Sequence, residues 1–117
     1  MSRTRRRKAL KPHWFQILLA LADRDLHGLQ IMAEVSARTD GAVHLWPGML
    51  YGSLKSMLDE DLVAEIEPPE TEQIAGGRPR YYSITKSGRR VLVAELKRLA
   101  TYLDAAREKK LLQGSDA

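Results

Sequence analysis

The stretch LWPGMLYGSLKSMLDEDLV, residues 45–63, decides how the rest of the chain is read. Pro47 suits the first turn of a helix, where its missing N–H costs no helical hydrogen bond. From there Leu50, Leu54, Met57 and Leu58 form one apolar stripe, while Gly48, Met49, Gly52, Lys55 and Ser56 take the opposite side. That outer face is flat, weakly polar and carries one cation. A helix facing only water would gain about 1 kcal/mol from alanine at position 52. Gly52 therefore implies a close approach, either by a partner or by another part of the same chain. Asp59, Glu60 and Asp61 end the helix.

Working outward, residues 62–66 alternate as a strand, and RYYSIT, residues 80–85, reads as a second, with Tyr82 and Ile84 on one face and Tyr81 and Ser83 on the other. The polar connection between them makes a β-hairpin whose tip contains Arg78 and Arg80. Upstream, WFQILLALA, residues 14–22, is apolar around most of its circumference, as expected of a helix buried centrally in a small bundle. A further helix is predicted from His27 through Arg38, with Ile31, Met32 and Val35 inward, Leu29 and Ala33 at the borders, and Gly28 allowing a tight turn at its start. Residues 43–46 read as a short extended linker. Three helices followed by a hairpin is the order of a winged helix-turn-helix, the hairpin being the wing.

The last segment reads as a long helix capped by Thr85, with Gly88 in its first turn and Leu92, Leu96, Leu99, Leu103 and Ala106 at alternating spacings of four and three. This is more apolar surface than a three-helix head covers, so a partner helix from a second copy is expected. Trp14 and Leu18 of the first helix either share that subunit contact or cover the long helix within one chain, and the two uses are compatible. The expected organisation is a basic arm (1–11), a winged helix-turn-helix domain (12–86), a dimerisation helix (87–112) and a tail (113–117).

The 117 residues suffice for one core, and 44% hydrophobic with 29% charged residues is an ordinary soluble balance. Cysteine is absent and no apolar run reaches membrane-spanning length, which leaves neither disulfides nor insertion in play. The basic N-terminus has no small-residue cleavage site after its apolar run, so a cytoplasmic protein is expected. The formal charge is +4, yet Arg3, Arg5, Arg6, Arg7, Lys8 and Lys11 supply six of the 19 basic residues, leaving 13 against 15 acidic ones elsewhere. Attraction to a polyanion must then come from the arm, notably Arg5, Arg6, Arg7 and Lys8, and from local placement of cations. The same arm has a plainer reading as a solubilising tail.

His13, His27 and His44 lie in separate segments, and neither a metal site nor a cofactor is expected. His27 reads as a helix cap, and His44 is given the same role before the third helix. No nucleophile-base-orienter set emerges, and GGRP, residues 76–79, joins two strands without the spacing of a phosphate loop. An enzyme is not expected. In a winged helix, Pro47, Gly48, Met49, Gly52, Lys55 and Ser56 are placed to approach the major groove of double-stranded DNA, and Arg78 and Arg80 its backbone or minor groove. Tyr51 either donates to a phosphate or packs. A protein-binding scaffold on the same fold is the competing reading.

LHGLQI at residues 26–31, WPGMLYGSLKSMLDEDLV at 46–63 and GGRPRYYSITKSG at 76–88, in that order, resemble the PadR family of bacterial transcriptional regulators, in its short form with a single C-terminal helix. The resemblance spans about residues 12–110. It implies a homodimeric repressor of a pseudo-palindromic operator, with the first and last helices at the subunit contact. It also implies that His27 and Gly28 open the second helix, Pro47 to Tyr51 the recognition helix, and Arg78 to Tyr82 the second wing strand. Some members sense phenolic acids or flat hydrophobic drugs between subunits, which by resemblance points to Trp14 and Phe15 for a small hydrophobic effector. The family usually has threonine or serine where this chain has Met49, so a hydrogen bond to DNA is replaced by an apolar side chain.

Overall fold

The computed structural model describes residues 9–69 and 79–113. The elements are α1 (Pro12–Ala20), β1 (Leu26–His27), α2 (Gly28–Arg38), α3 (Pro47–Asp59), β2 (Val63–Ile66), β3 (Tyr81–Ile84) and α4 (Lys86–Glu108). The winged helix-turn-helix is present, with its sheet antiparallel in the order β1-β3-β2.

Pro12 starts α1 at a position where no N–H is needed, and Trp14, Ile17, Leu18 and Ala20 turn inward. α1 packs on α2, α3 and α4 and is the centre of the core, which Ile31, Val35, Leu50, Leu54, Met57, Leu62 and Leu92 complete. Each fully buried aliphatic side chain of this kind stabilises the fold by about 1.5–3 kcal/mol. The His27 ring accepts the Gln30 N–H through Nδ1 at 3.3 Å, while the Gln30 side chain accepts the His27 N–H at 3.0 Å. This reciprocal cap opens α2. His44 does not repeat the role: α3 has no side-chain cap, and the His44 ring meets Trp46 edge-on instead.

Three helices end in the same way. Asp40, Asp61 and Lys110 adopt φ of 55°, 61° and 65°, just past α2, α3 and α4. The following N–H reaches back to Ser36, Met57 and Ala106 respectively, at 2.8–2.9 Å. This is the Schellman closure, here without glycine at the left-handed residue. α4 accordingly stops at Glu108 rather than continuing to residue 112.

Thr85 ties the wing to α4: its hydroxyl accepts the Gly88 N–H at 2.9 Å and donates to the Asp61 carbonyl at 2.6 Å. A Cβ on Gly88 would lie 2.1 Å from the Leu62 carbonyl oxygen, so the chain must be bare there. Arg89 donates to the Ala22 carbonyl at 2.9 Å, anchoring α4 to the end of α1. Glu95 is buried and accepts the Leu10 N–H at 3.3 Å while pairing with Arg98, whose guanidinium this bond holds above its ordinary pKa.

Residues 43–46 form neither helix nor strand and Trp46 is extended, in keeping with the linker reading. Tyr81 and Tyr82 are both buried, although they point to opposite sheet faces, because β1 pairs with β3 and the His27 ring covers Tyr81 edge-on at 5.3 Å. Leu29 is 69% exposed rather than at the border of the core. No helix among the described residues is long and apolar enough to cross a membrane.

Candidate nucleic-acid interface

α3 presents two unlike sides. Leu50, Leu54 and Met57 are buried against α1 and α2, and Pro47, Gly48, Tyr51, Gly52, Lys55 and Ser56 are exposed. Among the described residues, a Cβ at Gly48 or Gly52 would meet nothing within 4 Å. No described segment crosses at Gly52, which counts against the reading in which it is small to admit its own chain. Met49 is only half outward, since it also packs against the core.

Of the two roles open to Tyr51, the structure places it in packing, with part of the ring still at the surface. A Cβ on Gly28 would lie 2.1 Å from its hydroxyl oxygen, so the phenol rests on the head of α2 while the ring stays partly exposed. Around that contact His27, Gly28, Leu29, Tyr51, Pro79 and Arg80 line a cavity of about 380 Å³. The first turn of a helix leaves its N–H groups seeking acceptors, and the helix dipole favours an anion there. Arg80 pairs with Glu65 at 3.9 Å, but both side chains are exposed, and such a pair is worth at most about 1 kcal/mol. A stronger anion can therefore take Arg80. Tyr82, next along the strand, is closed off: burial pushes its hydroxyl above the ordinary tyrosine pKa, and the Glu65 carboxylate adds to the effect.

The site residues expected in the arm, Arg5, Arg6, Arg7 and Lys8, and Arg78 at the hairpin tip lie outside the described residues. Of the residues expected at the subunit contact, Leu96 is 39% exposed, Leu103 is exposed and Leu99 is half-buried. Leu18 and Leu92 are consumed by the core of a single chain and have no surface to give a partner. Trp14 is 8% exposed, with the Lys11 ammonium 5.2 Å above its ring, and the neighbouring Phe15 packs on the core. Neither lines the cavity beside Tyr51 or the shallow one of about 550 Å³ along α4, bounded by Lys86, Arg89, Arg90, Val93, Ala94 and Lys97.

Sequence reasoning passed over the exposure of Trp46 and of Val93 and Tyr102 of α4. The two α4 residues stand beside the heptad-like positions and widen the apolar strip. Trp46 was hidden by the linker reading, though a tryptophan directly before a helix-starting proline is a signal in itself.

Solved structures of the same architecture include transcriptional regulators. One from Clostridium thermocellum superposes with a TM-score of 0.67 at 19% identity, covering 82% of this chain and 87% of that one. A PadR family transcription regulator from Clostridium difficile gives 0.66 at 25% identity, covering 82% and 95%. Bacillus subtilis PadR, solved in complex with operator DNA, gives 0.60 at 20% identity, covering 71% of this chain and 45% of its own. No protein of curated function matches the chain significantly. The sequence pattern of the transcriptional regulator PadR-like family matches residues 17–94, from the second turn of α1 into α4. With two-thirds of its length in that match and its fold shared, the chain belongs to the PadR-like family of transcriptional regulators.

Proposed function

We propose that the chain is a homodimeric, sequence-specific reader of double-stranded DNA that acts as a repressor. The observation that carries the reading is the outer side of α3, where Gly48 and Gly52 are exposed beside Lys55 and Ser56 and a Cβ on either meets nothing within 4 Å among the described residues. A bare backbone lets a helix settle deep in the major groove, which is about 12 Å wide, and brings neighbouring polar side chains to base edges. Met49 supplies an apolar contact where the family usually places a hydroxyl. Arg80 and Tyr51, beside the head of α2, serve a phosphate, and the arm cations Arg5, Arg6, Arg7 and Lys8, with Arg78, add sequence-independent attraction. Bacillus subtilis PadR, of similar fold, was solved with operator DNA, which supports the same use here.

The dimer reading is supported by the strip of Val93, Leu96, Leu99 and Leu103 on α4, which α1 leaves partly uncovered. Two linked heads hold half-sites about one helical turn, roughly 34–36 Å, apart on a pseudo-palindromic operator. Such a protein works in the cytoplasm, where a bacterial chromosome lies. Relief of repression by a small hydrophobic or phenolic molecule rests on family resemblance, which places such a molecule between subunits; Trp14 and Phe15 line neither of the two cavities described above.

Selection of bound duplexes from a random pool tests the reading. A two-fold related pair of half-sites is expected. Recovery of no sequence preference, with the protein folded and dimeric, would favour a protein-binding scaffold.

A further inference from the structure

Among the described residues, the large apolar side chains left exposed fall on two surfaces. Val93, Leu96, Tyr102, Leu103 and Leu111 lie along α4 or just past it, where a second copy accounts for them. Leu29, Trp46 and Tyr51 lie at the heads of α2 and α3, and Tyr51 already leans on Gly28. Trp46 is the residue immediately before the first turn of α3 and is 61% exposed. The His44 ring stands edge-on to it, with centroids 4.5 Å apart and planes at 81°. Pro47 confines the backbone of Trp46 to the extended region, found at φ −77° and ψ 150°, which fixes the base of the indole relative to the helix.

We propose that Trp46 is a specificity-determining side chain whose indole meets the 5-methyl group of a thymine where each α3 enters the major groove. The proposal rests on the reading of α3 as the recognition helix. Residues at the start of such a helix come nearest the base edges, and here Gly48 and Gly52 add no bulk to hold the helix away. Of the groups displayed in the major groove, the thymine methyl is apolar, whereas N7, O6 and the exocyclic amines are polar. A polar edge covered by an indole face loses water without gaining a hydrogen bond, so an apolar ring discriminates in favour of thymine. His44 acts as a positioning residue that holds the ring upright.

The test uses a duplex recovered by wild-type selection, with each thymine of a half-site replaced singly by deoxyuridine, which removes only the methyl. Affinities of wild type and W46A are titrated at fixed salt. One position per half-site should weaken wild-type binding about fourfold on losing its methyl, the burial of one methyl-sized group, and should have no effect on W46A. Wild-type indifference to every replacement, or equal losses in both proteins, overturns the proposal and leaves DNA reading intact. Failure to recover any preferred duplex overturns both. A second readout needs no mutation. Trp46 and the 8% exposed Trp14 are the two tryptophans of the chain, so saturating duplex should remove most of the acrylamide-quenchable fluorescence. Unchanged quenching in a saturated complex contradicts the contact.

Discussion

Replacing Gly52 should push stability and DNA binding in opposite directions. The residue is inside α3 and exposed, and a Cβ there meets nothing within 4 Å among the described residues, so alanine fits without a clash and leucine starts from an open position. Both relieve the entropic cost of a mid-helix glycine, worth about 1 kcal/mol. For a domain near this size that raises Tm by about 4 °C. On the DNA side, leucine at 52 stands between the helix backbone and the groove floor. Lifting the helix enough to accommodate it sacrifices at least one base contact, at about 1–3 kcal/mol, or roughly 5- to 150-fold in affinity. Calorimetry of G52A and G52L, paired with titration of a selected duplex at fixed salt, reads both quantities. The expected result is two proteins that melt higher than the parent, with G52L the weaker binder. A G52L protein that melts lower, or that binds as well as the parent, refutes the reasoning.

Leu96 is partly exposed on α4, so L96E should leave the head folded while breaking the dimer; sedimentation should then show one chain of 13.2 kDa where wild type shows two. Asp61 holds φ 61° at the end of α3, a conformation costing a non-glycine residue roughly 1 kcal/mol, so D61G should raise Tm, and an unchanged or lower Tm would count against that strain. Deleting residues 1–8 stops short of Leu10 and its bond to Glu95, and should lower the slope of log affinity against log salt by about 0.9 for each phosphate that the arm neutralises, with sequence preference kept. Tyr82 has a raised pKa, chiefly through burial; above pH 10.0 the unfolded chain releases this proton before the folded one does, so stability falls as pH rises through the folded value. Alkaline denaturation of Y82F should therefore show a shallower loss above that pH than the parent, and an identical profile would rule Tyr82 out as its source.

The parts of this fold that local patterns specify were open to reading. Pro47 with the Leu50, Leu54 and Met57 stripe defines α3, His27 and Thr85 both cap helices, and the bare outer side of α3 follows from helical spacing alone. What escaped depends on contacts distant in sequence. β1 is two residues long, too short for alternation to register, and exists because Leu26 and His27 pair with Tyr82 and Tyr81. The same pairing buries both tyrosines on the different faces where period-two reasoning places them, a burial that alternation alone does not specify. Nothing in the helical pattern marks Glu95, whose partner Leu10 donates to it from 85 residues away. The end of α4 was misplaced because its left-handed closing residue is Lys110, where glycine is the usual signal. For the subunit contact, spacing identified the stripe but not its depth: Leu92 falls toward α1 and the core, whereas Leu96 and Leu103 reach the surface.

Entry of α3 into the major groove is the central claim, and methylation protection by dimethyl sulfate addresses it directly on a selected duplex. The reagent attacks guanine N7 in the major groove and adenine N3 in the minor groove. Guanine N7 atoms in two patches about one helical turn apart should be protected by the wild-type protein and exposed again with G52L at the same concentration. Full reactivity at every guanine N7 in a saturated wild-type complex would contradict the account.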